Sequence, residues 1–462
     1  MGQLRTRFVR LPARSENTSF TDEHITAKFV NRGTAVVVDN GKYIVTPTIE
    51  EYEFQMSPRL DHLNTKNGLQ TPNYIGSLLC ASTFRLGVDS TTGKDIHGYL
   101  CRPDGEGYDP LQGPRLRPPA PGRSIHGPAR KALPSIYYPD FIAANQEARA
   151  DNVIPGQDKQ AHLEHIRADI RKLKQDNELD RVIVFWTANT ERFADIIPGV
   201  NDTADNLLNA IKTSHEEVSP STIFAVAAIL EGEPFVNGAP QNTFVPGAIE
   251  LAEREKSFIG GDDLKSGQTK LKSVLAEFLV NAGIKPLFSI ASYNHLGNND
   301  GHNLSAERQF RSKEISKSSV VVDMVAANRL LFKAPELNEK GAAKDKGEHP
   351  DHVVVIKYVP AVGDFKRAID EYFSEIFCGG RSVINIFNEC EDSLLATPLI
   401  LDLSILAELL TRVKYRKVGE PEFKPLHSVL SLLSYMLKAP LVKPGTEVIN
   451  SLNRQRTLLR HS

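Results

Sequence analysis

Two rhythms of apolar and polar positions run along this chain. From about residue 160, "HLEHIRADIRKLKQDN" (162–177) reads as an amphipathic helix, followed by the continuously apolar "RVIVFW" (181–186), a strand, and the polar loop "TANTER" (187–192). Helices are predicted at "ADNLLNAIK" (204–212) and "STIFAVAAILEG" (221–232), the second with Ser219 or Ser221 as its N-cap. A strand "PFVNG", a helix "GAIELAEREK", a strand "SFIGG" and a helix "TKLKSVLAEFLVNAG" follow between residues 234 and 283. Strands this apolar, alternating with helices, predict a parallel sheet covered on both faces, a doubly wound α/β domain. Ligands of such a fold sit at the carboxyl ends of the strands. The loops "TANTER", "NGAPQNT" (237–243) and "GGDDLKSGQTK" (260–270) are therefore the expected site walls.

Other stretches follow a different pattern. "TAVVVDNGKYIVTPTIEEYEF" (34–54) alternates apolar and polar residues around Asn40-Gly41 and predicts an antiparallel hairpin or a small barrel-like arm. "FSIASY", "HVVVIKYV", "FKRAIDEYFSEIF" and "SVINIF", between residues 288 and 387, form a second α+β unit, after which a long helix over 394–415 returns to the first. The expected organisation is an arm over 1–58, a Rossmann-like domain over 59–266, an inserted α+β unit over 267–393, and a return over 394–462. Residues 101–134 hold eight prolines and five glycines, with no acidic residue between Asp109 and Asp140, and read as a loose basic insert. Residues 334–346 read as a solvated insertion.

Charge changes the picture mainly by exclusion. A net charge of −2 over 462 residues gives no support for broad electrostatic binding to nucleic acid or to an anionic membrane. The four cysteines show no CxxC spacing, which fits reduced thiols and argues against structural zinc. The apolar run "LLATPLILDLSILAELL" (394–410) contains Asp402 and Glu408 and reads as a buried helix. The first twenty residues lack the apolar core of a secretory signal, so a cytoplasmic protein is expected.

The candidate chemistry lies in lysines. Lys313 and Lys317 stand four apart, on one helical face. Arg311, Glu314 and water can screen them on an exposed helix; alternatively they hold a phosphate or a developing oxyanion. Lys366 beside Asp364, Lys438 before a proline-rich turn, Asp262 and Asp263 after "SFIGG", and Asp392-Ser393 after "NIFNEC" each read as a solvated charge or as part of a shared cleft. No G-x-G-x-x-G occurs, and "DGEGYDPLQG" (104–113) has the wrong glycine spacing. The residues alone lead to a two-domain α/β enzyme for an anionic small molecule.

A set of blocks in order goes further. "WTANTER", "PGVNDTADNLL", "SPSTIFAVAAILEG", "NGAPQNTFVPG", "GGDDLKSGQTKLKSVL", "SYNHLGNNDG", "NLSAERQFRSKEISKSSVV", "DHVVVIKYVPAVGD", "CEDSLLATPLILDL" and "LKAPLVKPGTEVINSLNRQR" resemble those of the eukaryotic type of myo-inositol-3-phosphate synthase, across roughly residues 72–90 and 134–456. The resemblance implies conversion of glucose 6-phosphate to an inositol phosphate. NAD would be reduced and reoxidised in one cycle, with an enolisation and an aldol closure between. It also implies a homotetramer assembled through the second domain. By the same resemblance Lys313, Lys317, Lys366 and Lys438 face the substrate, and Asp263, Asn294 and Asp364 act with them. Ser135, Ile136, Gln146, Arg149, Thr187, Ala188, Asn189, Thr190, Gly238, Asp263, Ser266, Asn298, Asn299, Asp300, Asp364, Asp392 and Ser393 would surround NAD, and no metal ligand set is assigned.

The departures are specific. The family's "GWGGNNG"-type loop and "GGWDIS"-type segment are absent: "FQMSPRLDHLNTKNGLQTPNYIGS" runs from the arm directly to a later block, and proline-rich 101–134 stands in place of the second segment. "GSLLCAST", "DDLKSG" and "VGDFK" replace the family's "GSLTQAST", "DDFKSG" and "VGDSK". The first strand–loop–helix unit of the Rossmann domain is thus missing, and with it the helix N-terminus that receives a pyrophosphate. Weak NAD binding and slow or no turnover are expected. An inactive member that co-assembles with intact subunits is the alternative; an ordinary sugar-phosphate dehydrogenase fits the lysine set less well.

Overall fold

The computed structural model describes short strands within residues 26–98 and most of residues 133–455, apart from 151, 177–178, 327–331, 334–335, 337–347, 418–420, 427–431, 443–447 and 449. Nearly all of the proline-rich insert and most of the 334–346 insertion lie outside the described residues.

In the amino-terminal part, β1 (Thr26–Val30) pairs antiparallel with β4 (Glu51–Gln55), and β2 (Thr34–Val38) with β3 (Gly41–Pro47), as the alternating pattern predicts. Val38 stands opposite Gly41, so Gly41 already belongs to the returning strand. Two further antiparallel pairs follow: β5 (Leu63–Thr65) with β6 (Gly68–Gln70), and β7 (Phe84–Val88) with β8 (Asp95–Gly98).

The α/β unit contains α1 (Lys159–Asp176), β9 (Val184–Trp186), α2 (Ala204–Lys212), α3 (Pro220–Leu230), β10 (Phe235–Asn237), α4 (Pro246–Glu255) and β11 (Ile259–Gly260). The three strands are parallel in the order β11-β10-β9, and all their residues are buried. Helix α3 is buried from Pro220 to Ile229, and its alanines let it lie close between neighbours in the main core. Ser219 rather than Ser221 caps it: Pro220 takes the first helical position, Ser219 accepts from the Thr222 amide, and Ser221 donates instead to Glu191 at 2.6 Å. Strand β9 begins later than "RVIVFW" suggests, because the Val182 amide is already bonded to the Glu233 carboxylate.

Helix α5 (Gly267–Asn281) leads into a mixed four-stranded sheet. Its strands are β12 (Lys285–Leu296), β13 (Asp351–Tyr358), β14 (Lys366–Ile376) and β15 (Gly380–Cys390), in the order β13-β12-β14-β15. The short α6 (Asn299–Asn303) and the long α7 (Glu307–Ala326) lie between β12 and β13. "FKRAIDEYFSEIF" forms strand β14 along nearly its whole length, with buried and open residues alternating strictly at first. One face of this sheet carries exposed apolar side chains in register: Tyr293 lies between the half-buried Val355 and the exposed Ile369, and Ile369 opposite the exposed Phe387. The opposite face, with Ser292, Asn294 and Asp370, turns inward.

Helix α8 (Asp392–Arg412) closes the unit. It ends three residues earlier than the apolar run predicts, because Val413 turns extended and Val413–Lys417 pairs with β3 of the arm as β16. Asp402 and Glu408 lie on its buried side, Glu408 bonded to Arg412 one turn on. The segment after it returns to the parallel sheet, where Ser434 bonds the Gly261 amide.

Candidate active site

Four separate stretches bring the predicted lysines together. Residues 438–441 run beside 261–263 and exchange backbone bonds with them: Lys438 N to Asp263 O (2.8 Å), Asp262 N to Ala439 O (2.8 Å) and Leu441 N to Gly261 O (2.8 Å). This ladder sets the Lys438 ammonium 2.7 Å from Asp263 Oδ2. Asp263 has φ +64, a left-handed conformation that a short polar side chain tolerates. Helix α7 supplies Lys313 (3.3 Å from Asp263 Oδ1), Ser316, whose hydroxyl donates to Asp263 Oδ2, and Lys317, all on one side of the helix. Lys317 donates to Asn294 Oδ1 at 2.7 Å on β12. Lys366, at the start of β14, lies 3.0 Å from Asp392 Oδ2, and Ser266 Oγ donates to the other oxygen of Asp392 at 3.2 Å.

A polar cleft opens between these elements, walled by Gln268, Lys272, Ser292, Asn294, Lys317 and Lys366. Gln268 Oε1 is buried and has no hydrogen-bond partner among the described residues, which leaves an acceptor unused in the cleft wall. Lys272, Ser292, Asp370, Gln268 and Ser316 were not singled out from the sequence. Their signal was a polar residue at an inward position of an otherwise apolar pattern: Ser292 and Asn294 two apart on β12, Asp370 on β14, Lys272 within α5.

The charges are unequal. Burial acts to raise the Asp263 carboxyl, but Lys313 and Lys438 hold it well below the usual carboxylate range. Against burial, Lys366 similarly pulls Asp392 down to about 2. Burial pulls Lys313 down, but Asp263, Asp300 and Asp392 outweigh it and keep this ammonium raised. Burial drops Lys438 to about 8 despite Asp263. Lys317 falls well below the lysine range, through burial first and then Lys366, Lys272, Lys438 and Lys313. Among the described residues no carboxylate lies within 4.0 Å of its amine, whereas each of the four neighbouring lysines has one. The cleft therefore holds fixed cations beside one amine poised as the free base. Asp262, buried beside Asp263, accepts from Asn237 at 2.7 Å; burial holds its carboxyl well above the usual range.

The other predicted residues form a second group at the carboxyl end of β9. Thr190 donates to the Asp300 carboxylate through both its amide (2.8 Å) and its hydroxyl (3.1 Å), and Asn189 donates to Gln146 at 3.0 Å. Asn298 caps the turn 299–303 that carries Asn299 and Asp300. Asp300 also faces Lys313, which joins the two groups. Ile136 is buried in the core, Ser135 bridges Val153, and Arg149 ends the 3-10 turn that carries Gln146. Asp364 is exposed in the turn before β14, and Ser393 is exposed in the first turn of α8.

The fit to NAD is partial. Amides and hydroxyls of Thr187, Asn189 and Gln146, with Ala188 open at the loop tip, suit a ribose and a carboxamide. The glycines at these strand ends, however, are occupied by protein. A Cβ at Gly238 would meet Phe185 at 2.9 Å, one at Gly260 would meet Leu433 at 2.8 Å, and one at Gly261 would meet Phe244 at 2.9 Å. None of these three glycines leaves a turn open for a pyrophosphate.

Comparison with known proteins places the chain in a family. A family profile described as myo-inositol-1-phosphate synthase matches residues 128–462. Inositol-3-phosphate synthase of Dictyostelium discoideum is 47% identical over 98% of this chain and 95% of its own length, and that of Saccharomyces cerevisiae is 45% identical over 97% and 93%. The Dictyostelium alignment runs over 502 positions, more than the chain's 462 residues, so part of that relative has no counterpart here. The crystal structure of inositol-3-phosphate synthase from Caenorhabditis elegans superposes with a TM-score of 0.70, at 45% identity over 97% of this chain and 94% of that one. Profile, sequences and superposition converge over nearly the whole length: the chain belongs to the myo-inositol-1-phosphate synthase family.

Proposed function

We propose that this chain isomerises D-glucose 6-phosphate to 1D-myo-inositol 3-phosphate, with NAD as a cofactor that it holds weakly. The observation that carries the reading is the convergence of Lys313 and Lys317 from α7, Lys366 from β14 and Lys438 from a loop around Asp263, Asn294 and Asp392, with Lys317 and Lys366 lining the cleft. NAD, when bound, supplies the hydride acceptor that makes the sugar carbon next to the future enolate a ketone, and returns that hydride at the end. The chain's residues do the rest. Lys317, a free amine directed by Asn294, takes the carbon-bound proton made acidic by the ketone. Ammonium groups of Lys313, Lys366 and Lys438 stand where the phosphate, the enolate and then the alkoxide of the new ring bond carry negative charge. Asp263 and Asp392 keep these cations in place before substrate arrives, so little reorganisation is needed as charge moves. Gln268 Oε1 accepts from a sugar hydroxyl.

The test is formation of inositol phosphate from glucose 6-phosphate by the purified, folded protein. Product is expected only with added NAD, and half-saturation is expected far above the micromolar range. Losing a pyrophosphate cradle removes several charge-assisted bonds, roughly a 30- to 1,000-fold loss of affinity. A stoichiometric micromolar isotherm by calorimetry would contradict the weak-binding part. No product at millimolar NAD, together with co-purification with an intact synthase, would favour the second reading, an inactive regulatory subunit, for which the missing glycine turn is the motive.

We also infer a homo-oligomer. The row Val355–Tyr293–Ile369–Phe387 leaves an apolar sheet face open, Phe387 being 66% exposed, and such faces seek partners. Light scattering should give a tetramer, and Phe387→Arg should shift it to smaller species; a monomer at micromolar concentration would refute the inference. A cytoplasmic location belongs to the same reading and would be checked by imaging the tagged chain.

A further inference from the structure

The cleft contains a fifth lysine for which the reaction above has no use. Lys272 reaches from α5 across the inner face of the sheet. Its ammonium donates to Ser292 Oγ at 2.6 Å and lies 3.8 Å from Asp370 Oδ1, while the Ser292 hydroxyl donates to that same carboxylate oxygen. Ser292 and Asp370 stand directly opposite each other on β12 and β14, so the acceptor pair that Lys272 reaches is fixed by strand register. Lys272 is 6% exposed and lines the cleft together with Lys317. Two residues further along β12, on the same inward face, Asn294 accepts from Lys317. Neighbouring positions of one strand thus hold two lysines side by side, one paired with a carboxylate and the other with a neutral amide.

We propose that Lys272 is a positioning residue for Lys317: the Ser292–Asp370 clamp holds the Lys272 ammonium beside the Lys317 amine, discouraging a second charge there and turning that amine toward Asn294 and the cleft. The inference rests on reading Lys317 as the base. The groups facing Lys317 support it. Lys272 comes from α5, Lys366 and Asp370 from β14, and His352 from β13. Lys438 comes from the ladder beside Asp263, Asp392 from the start of α8, and Lys313 from one turn back on α7. Asp263, Asp392 and Asp370 each already lie within 4.0 Å of another lysine. His352, 3.4 Å from Lys272, cannot compensate, because burial first and then Lys272 push its imidazole down to about 3 and leave it neutral. Lys272 itself is lowered by burial, against Asp370, so its clamp matters for keeping the charge.

The experiment reads the Lys317 amine without requiring turnover. The substrate-free protein is exposed to trace acetic anhydride across pH 5–10, and acetylation of Lys317 is followed by mass spectrometry. In Lys272→Met the midpoint for Lys317 should move up by about one pH unit, a tenfold gain in proton affinity. Lys272→Gln, still able to donate to Ser292, should do the same and serves where the methionine variant fails to fold. Lys272→Arg should keep the midpoint near that of the unmodified protein. An unchanged midpoint in a folded Met or Gln variant overturns the proposal, as does an equal shift in the Arg variant. Where turnover is measurable, the acid limb of the kcat/KM profile should move upward with the labelling midpoint. A protein without isomerase activity that still shows the labelling shift would refute the proposed function and leave this inference standing.

Discussion

Lys317→Met should lower turnover by about 10³-fold while changing the KM for glucose 6-phosphate only a few-fold. The residue is buried, its amine bonds to a neutral amide, and the cations around it discourage protonation. An amine of that kind adds little to holding a phosphate and much to removing a proton. Lys317→Arg separates the two roles, because a guanidinium keeps the charge and cannot deprotonate. Loss of activity in both variants marks the base; near-normal turnover in the arginine variant would contradict it. Neither should destabilise the fold through lost ion pairing, since no carboxylate lies within 4.0 Å of Lys317 among the described residues.

Asp263→Asn should act on both stability and activity. The carboxylate lies between Lys313 and Lys438 and is almost fully buried, so the variant leaves two enclosed cations without their counter-ion. Breaking such an arrangement costs about 3–5 kcal/mol, which for a chain of this length thermal unfolding would show as a fall of about 3–5 °C. Activity should fall with it, because the lysines are no longer held toward the cleft. Acid gives an independent check. Asp263 and Asp392 have folded values depressed below their unfolded value of about 4. Their contribution is complete above that value and fades as pH falls through the folded values, Asp392's being about 2. The unmodified protein should therefore lose stability on acidification below about pH 4 more steeply than Asp263→Asn. Equal slopes would contradict the pairing.

Much of this site could be read from the sequence, for identifiable reasons. Lys313 and Lys317 share a helix face because four residues make about one turn, and the structure keeps that geometry. The parallel strands β9, β10 and β11 followed from runs of apolar residues too short and too flanked by turns to be helices. The clamp around Lys272 was not legible in the same way. Ser292 faces Asp370 only through the register of an antiparallel pair seventy-eight residues apart in sequence, which no local pattern encodes. Lys272 itself sits in an apolar helix, where a lysine reads as a solvated end. The encounter of Lys438 with Asp263 depends likewise on a short backbone ladder between distant segments. The early end of α8 came from pairing with the arm, a tertiary effect that outweighed the helical run.

The account rests on the lysine cleft being where a sugar phosphate sits. A crystal structure with glucitol 6-phosphate, an open-chain analogue without the aldehyde needed for ring closure, tests this directly. The analogue is expected in the cleft, within hydrogen-bonding distance of Lys317 and Gln268, its phosphate paired with one or more of Lys313, Lys366 and Lys438. An analogue bound elsewhere, with Lys317 still bonded only to Asn294 and the cleft empty at saturating concentration, would contradict it.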